Sequence, residues 1–161
     1  MVLTALLCGA ESGDLECLTE LLQITSVNVN KENKNTKRTG LHMAASGGHL
    51  SIVKLLHHHK IDLAALDANG ESAVHYCVRS AASVDSAKLI VEYLVKQGVS
   101  PNVANRNGET ALHIAARYGC AEIVRCLCLC GADLDMQDDV NLFLSLCFSF
   151  WICLLVLGRD V

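Results

Sequence analysis

Apolar positions along the chain return in paired blocks at a nearly constant interval. The first block of each pair is short and follows a hydroxyl residue: Thr39-Gly40-Leu41-His42-Met43-Ala44-Ala45, Ser72-Ala73-Val74-His75-Tyr76-Cys77-Val78 and Thr110-Ala111-Leu112-His113-Ile114-Ala115-Ala116. The second is richer in aliphatics: Ile52-Val53-Lys54-Leu55-Leu56, Ile90-Val91-Glu92-Tyr93-Leu94 and Ile123-Val124-Arg125-Cys126-Leu127. Spacing within the second blocks gives one apolar stripe on a helix. Each pair predicts a short helix followed by a longer one.

The punctuation agrees. Thr39, Ser72 and Thr110 stand where a hydroxyl can accept an orphan N–H at a helix start. Gly48 and Gly119 suit a turn between helices that requires positive φ. Asn69-Gly70 and Asn107-Gly108 are hairpin-turn signals. His42 to His75 is 33 residues and His75 to His113 is 38. The five extra residues fall between the two helices of the middle unit, at Ala81-Ala82-Ser83-Val84-Asp85. They predict a finger-like bulge, with Ser83 or Asp85 capping the next helix. A weaker copy precedes these units, with Leu7 at the His position and Gly13 at the turn. One unit cannot bury its apolar stripe alone, so the units must stack.

These segments resemble the ankyrin repeat family and its TPLHxAA pattern, over roughly residues 1 to 138. The motif Pro is Gly40, Ala73 and Ala111 here, and Lys37 replaces the hairpin Gly found at Gly70 and Gly108. The resemblance implies an all-α solenoid of helix-turn-helix units joined by short β-hairpin loops, with units at about 1–33, 34–66, 67–104 and 105–138. It implies that each motif His ties its helix to the next hairpin by hydrogen bonds. It also implies a protein partner that contacts hairpin tips and the exposed side of the first helices. By offset from each His, that surface comprises Asn35 and Arg38, Asn69 and Glu71, and Arg106, Asn107 and Glu109 at the tips. On the helices it comprises Ser46, Arg79, Arg117 and Tyr118. Arg and Tyr are favoured interface anchors.

Composition changes the picture at the C-terminus. Apolar residues make up 52% of the 161, above the ordinary range. All three Phe and the single Trp lie between Phe143 and Trp151. Residues 139–161 form a hydrophobic tail that does not continue the repeat, and Leu142 to Leu157 contains no charge. Three readings compete. As a helix the tail is a membrane anchor over about residues 140–158, a little short of the roughly 30 Å hydrocarbon core. Alternatively it folds back as a cap on the last unit. The third reading makes the chain a truncated piece of a larger signalling protein.

Charge and chemistry mostly exclude. The net charge of −4, with Lys and Arg scattered, recruits no nucleic acid. Nine cysteines without a regular framework argue for reduced thiols and a cytoplasmic or nuclear setting. Cys126, Cys128 and Cys130 alternate on a helix, which turns Cys128 away from the other two. His57-His58-His59 fits a solvated helix end, where imidazolium suits the dipole, better than a metal site. No nucleophile elbow, phosphate loop or dinucleotide motif is present. The chain reads as a non-catalytic adaptor or scaffold with no cofactor.

Overall fold

A computed structural model describes residues 2–24, 27–80 and 83–137. Eight helices are described: α1 (Val2–Ser12), α2 (Leu15–Ile24), α3 (Gly40–Gly47), α4 (Leu50–His58), α5 (Ala73–Ser80), α6 (Val84–Lys96), α7 (Ala111–Arg117) and α8 (Ala121–Leu129). They form two layers. In the inner layer α1, α3, α5 and α7 pack side by side, and in the outer layer α2, α4, α6 and α8 do the same.

The inner helices approach closely because their contact residues are small. Ala10, Ala44, Ala45, Cys77 and Ala115 are fully buried. The outer helices bring the aliphatic stripe beneath them: Ile52, Val53, Leu56, Ile90, Val91, Leu94, Ile123, Val124 and Leu127 form one continuous core with the inner row. Burying a side chain of that size contributes about 1.5–3 kcal/mol. The inner-to-outer turns at Gly13, Gly48 and Gly119 have φ of 83°, 75° and 69°. Gly48 satisfies helix-end carbonyls, its N–H donating to Ala45 and Ala44 oxygens lying beneath it.

Two expectations are corrected. Of the five residues expected to bulge, Ala81 and Ala82 lie outside the described residues, and 83–85 make no finger. Ser83 is the N-cap of α6 and accepts from the Ser86 N–H at 3.1 Å, and Val84 and Asp85 lie in the first turn. The insertion therefore lengthens α6 at its start to 13 residues, against nine in α4 and nine in α8. The second correction concerns the hairpin loops. Among the described residues there is no β-strand. Each tip is instead a compact turn in which a side-chain oxygen replaces a ladder. Asp67 Oδ1 accepts from the N–H groups of Asn69 and Glu71, and Asn105 Oδ1 accepts from those of Asn107 and Glu109. The hydrophobic tail, 139–161, lies outside the described residues. Among the described residues no helix is long and apolar enough to cross a membrane.

Among the described residues, two other than glycine have positive φ, Lys37 at 54° and Lys60 at 66°. Both stand where other units use Gly. Gly70 and Gly108 correspond to Lys37, and Gly98 and Gly131 correspond to Lys60. The left-handed conformation costs an L-residue with a Cβ about 1 kcal/mol or more.

Candidate functional site: the hairpin tips and inner helices

The motif histidines are the joints of the stack. The Thr39 N–H donates to His42 Nδ1 at 3.1 Å, and His42 Nε2 faces the Glu71 carbonyl at 3.2 Å. A backbone N–H can only donate and a carbonyl can only accept, so the ring is the neutral tautomer protonated on Nε2. His75 repeats this with the Ser72 N–H at 3.1 Å and the Glu109 carbonyl at 3.2 Å. Burial lowers the pKa of both rings below the ordinary 6.5, although the carbonyl contacts oppose it. This agrees with what the ankyrin resemblance implied. His113 keeps the local half, accepting from the Thr110 N–H at 3.2 Å. Among the described residues its Nε2 meets no carbonyl.

The tips are joined directly as well. The Ala68 N–H donates to the Thr36 carbonyl at 2.9 Å, and the Arg106 N–H donates to the Asn69 carbonyl at 2.9 Å. Neighbouring tips therefore form a continuous ridge. Asn35, Asn69, Arg106 and Asn107 lie exposed on it. Ser46 is half-buried at the end of α3, and Arg79, Arg117 and Tyr118 are exposed at the ends of α5 and α7.

Glu71 and Glu109 do not project from the ridge. Their exposures are 4% and 7%, so burial removes both carboxylates from the surface a partner can touch. Glu71 forms a forked pair with Arg79, at 2.5 and 3.2 Å. Glu109 pairs with Arg117 and also accepts from Asn105 Nδ2 at 3.1 Å. Burial raises the Glu109 pKa, but the Asn105 and Arg117 contacts outweigh it and hold the carboxyl below the ordinary 4.5. The physical reason is geometric. An inward carboxylate at the foot of each turn meets an arginine eight residues later, one on each helix. That eight-residue spacing, present twice, was a legible signal for the pairing. Arg38 is also partly committed to packing. It is half-buried, with its guanidinium 5.2 Å from the centre of the Tyr76 ring. Tyr76 in turn donates to Asp67 Oδ2 at 2.9 Å. Burial and that hydrogen bond push the Tyr76 pKa up to about 12.

Lys37 and Arg106 are the exposed cations of the tips, and the guanidinium groups of Arg79 and Arg117 are each balanced by a buried carboxylate. Burial, with the neighbouring Cys130, pushes Cys126 up to about 12, which keeps it protonated. Among the described residues no three His, Cys, Asp or Glu side chains gather as metal ligands.

Comparison with known proteins agrees with this architecture. A family model described as "Ankyrin repeats (3 copies)" matches residues 6–92 and 80–138. The chain is similar to mouse B-cell lymphoma 3 protein homolog, 32% identical over 73% of this chain and 26% of that protein. It is similar to an L-asparaginase of Dirofilaria immitis, 33% identical over 66% of this chain and 18% of that protein. It is also similar to mouse synphilin-1, 25% identical over 83% of this chain and 14% of that protein. The chain spans about a quarter or less of the length of each. With a stacked pair of helices in every unit and a motif His at each joint between the later ones, the chain belongs to the ankyrin repeat family.

Proposed function

We propose that the chain is a non-catalytic protein-binding module, an adaptor or scaffold, whose partner lies across the hairpin tips and the exposed ends of α3, α5 and α7. The observation that carries this reading is the ridge. Backbone hydrogen bonds from tip to tip hold Asn35, Asn69, Arg106 and Asn107 in a fixed row, beside Arg79, Arg117 and Tyr118. A preformed row loses little entropy on binding. Arg79 and Arg117 are each balanced by an inward glutamate, so the charge the row offers a partner carboxylate is that of Arg106, which has no ion pair among the described residues. The relatives bear names of different kinds, one of them an enzyme, so the shared part is read as a binding unit rather than a catalytic one.

Arg106 and Tyr118 are the clean probes, because neither side chain pairs with a buried carboxylate among the described residues. Affinity capture with the wild type and with the variant Arg106→Ala/Tyr118→Ala, each checked for a native unfolding curve, tests the surface. Partners retained by the wild type should be lost by the variant and released by salt. Identical retention refutes the assignment.

A tethered form of the same adaptor is favoured by one sequence observation, the uncharged run from Leu142 to Leu157. In that reading residues 140–158 anchor the repeats to a membrane facing the cytoplasm. Sedimentation of the full chain with membranes, against residues 1–138, tests it. Equal partition of the two into the soluble fraction refutes the tether.

A further inference from the structure

The outer layer carries a cluster that the ridge does not use. A cleft of about 540 Å³ lies between α4 and α6, lined by Lys54, His57, His58, Lys60, Ile61 and Tyr93. Among the described residues no carboxylate lines it, although the chain as a whole is negative by four charges. Among the described residues neither Lys54 nor Lys60 is ion-paired. The Lys54 ammonium sits 5.7 Å from the centre of the Tyr93 ring. His57 Nδ1 lies 2.8 Å from the Tyr93 hydroxyl, which fixes that hydroxyl at the cleft wall. The nearest acidic residue in sequence, Asp62, accepts from the Ala64 N–H instead.

Lys60 is the telling member. It occupies a left-handed position, φ 66°, that the next two units give to Gly98 and Gly131. Asn30 holds the backbone there, donating to the Lys60 carbonyl at 3.2 Å and accepting from the Asp62 N–H at 2.6 Å. A strained residue held in place by its surroundings is an observation from which function can be inferred. Here the strain retains an ammonium group at the mouth of a cleft that already holds a second ammonium, two imidazoles and a phenol.

Two ammonium groups without an ion pair among the described residues, beside two imidazoles, suit a tetrahedral dianion with several acceptor oxygens, and lysine binds phosphate as a point charge. The cleft has room beyond a phosphate group, and the partly exposed Tyr93 ring offers an apolar face to a side chain that carries it. We infer that Lys54, His57, His58, Lys60 and Tyr93 form a binding site for a phosphoryl group borne on a peptide side chain.

The test uses the full chain and titration calorimetry. The probes are N-acetyl-phosphoserine amide, N-acetylserine amide and inorganic phosphate. The phosphorylated amide should bind, inorganic phosphate should compete with it, and the unphosphorylated amide should not bind. Lys60→Gly should weaken binding about tenfold, the equivalent of one charge-assisted contact. The same variant should raise the unfolding midpoint, because glycine relieves the strained backbone. Lost affinity in a more stable protein cannot come from misfolding. Lys54→Gln should weaken binding similarly. Equal affinity in Lys60→Gly, equal binding of both amides, or no binding of the phosphorylated amide overturns the inference. So does retention by phosphatidylcholine vesicles containing phosphatidylinositol phosphate without binding of the amide, which would assign the cleft to a membrane.

Discussion

Replacing His75 by Ala tests the joint between units. The imidazole is 1% exposed and holds two backbone groups, the Ser72 N–H and the Glu109 carbonyl. Its removal orphans the Ser72 N–H at a buried joint, while the Glu109 carbonyl loses one of two bonds and keeps the Asn105 N–H at 2.9 Å. An orphaned buried group costs about 1–3 kcal/mol, and the vacated ring volume adds a cavity term. The expected loss is about 3–5 kcal/mol. His113→Ala is the same chemical change at the same motif position, but this ring is partly exposed and its partners among the described residues are local, the N–H and hydroxyl of Thr110. Its expected cost is about 1 kcal/mol. Urea unfolding followed by circular dichroism, with both variants at neutral pH, gives the two values. Stability of a domain is roughly 5–15 kcal/mol, so the His75 variant should remain measurable but with a much lower midpoint. Costs within about 0.5 kcal/mol of each other would refute the claim that the inter-unit carbonyl bond is what matters.

Acidification should act through the same rings. His42 and His75 have pKa values lowered from 6.5 by burial. The unfolded chain therefore takes up protons that the folded chain refuses, and stability present above pH 6.5 is lost as pH falls toward the folded values. The slope should reach up to about 1.4 kcal/mol per pH unit for each ring, and a flat profile between pH 7 and pH 5 would contradict it. The Asn30 clamp gives a third prediction. Asn30 bridges the loop at Lys60 and Asp62, and Asn102 bridges the equivalent loop at Gly131 and Asp133. Ala64 stands at the corresponding place between them. Asn30→Ala should cost about 1–2 kcal/mol and Ala64→Asn should add about 1 kcal/mol, both read from urea midpoints. A destabilised Ala64→Asn variant would show that the lengthened α6 has moved that loop out of reach.

Much of the fold was legible because it is local. The Thr-x-x-His spacing, the paired aliphatics and the turn glycines each specify a few consecutive residues, and stacking follows from the stripe they leave uncovered. What escaped the sequence depended on direction. A charged residue beside a turn reads as exposed, and only the path of the chain turns Glu71 and Glu109 inward toward Arg79 and Arg117. The position of the insertion was legible from the period, but its form was not. Five residues with a serine can loop out or prolong a helix, and the Ser83 cap decided for the helix. Lys60 was readable by alignment with Gly98 and Gly131, yet its meaning came only with the neighbouring side chains of α4 and α6.

Glu71 and Glu109 each serve two masters. The carbonyl of each is held by the histidine of the preceding unit, and the carboxylate of each steadies an arginine on the exposed face of its own unit. The aim of Arg79 is therefore set partly by His42, and that of Arg117 partly by His75. Recognition and stacking share one free energy. A ligand that grips those arginines should tighten the joints behind them, raising the melting temperature with the logarithm of its concentration above Kd. A single unit cut from the array and grafted elsewhere would carry the right residues pointing the wrong way.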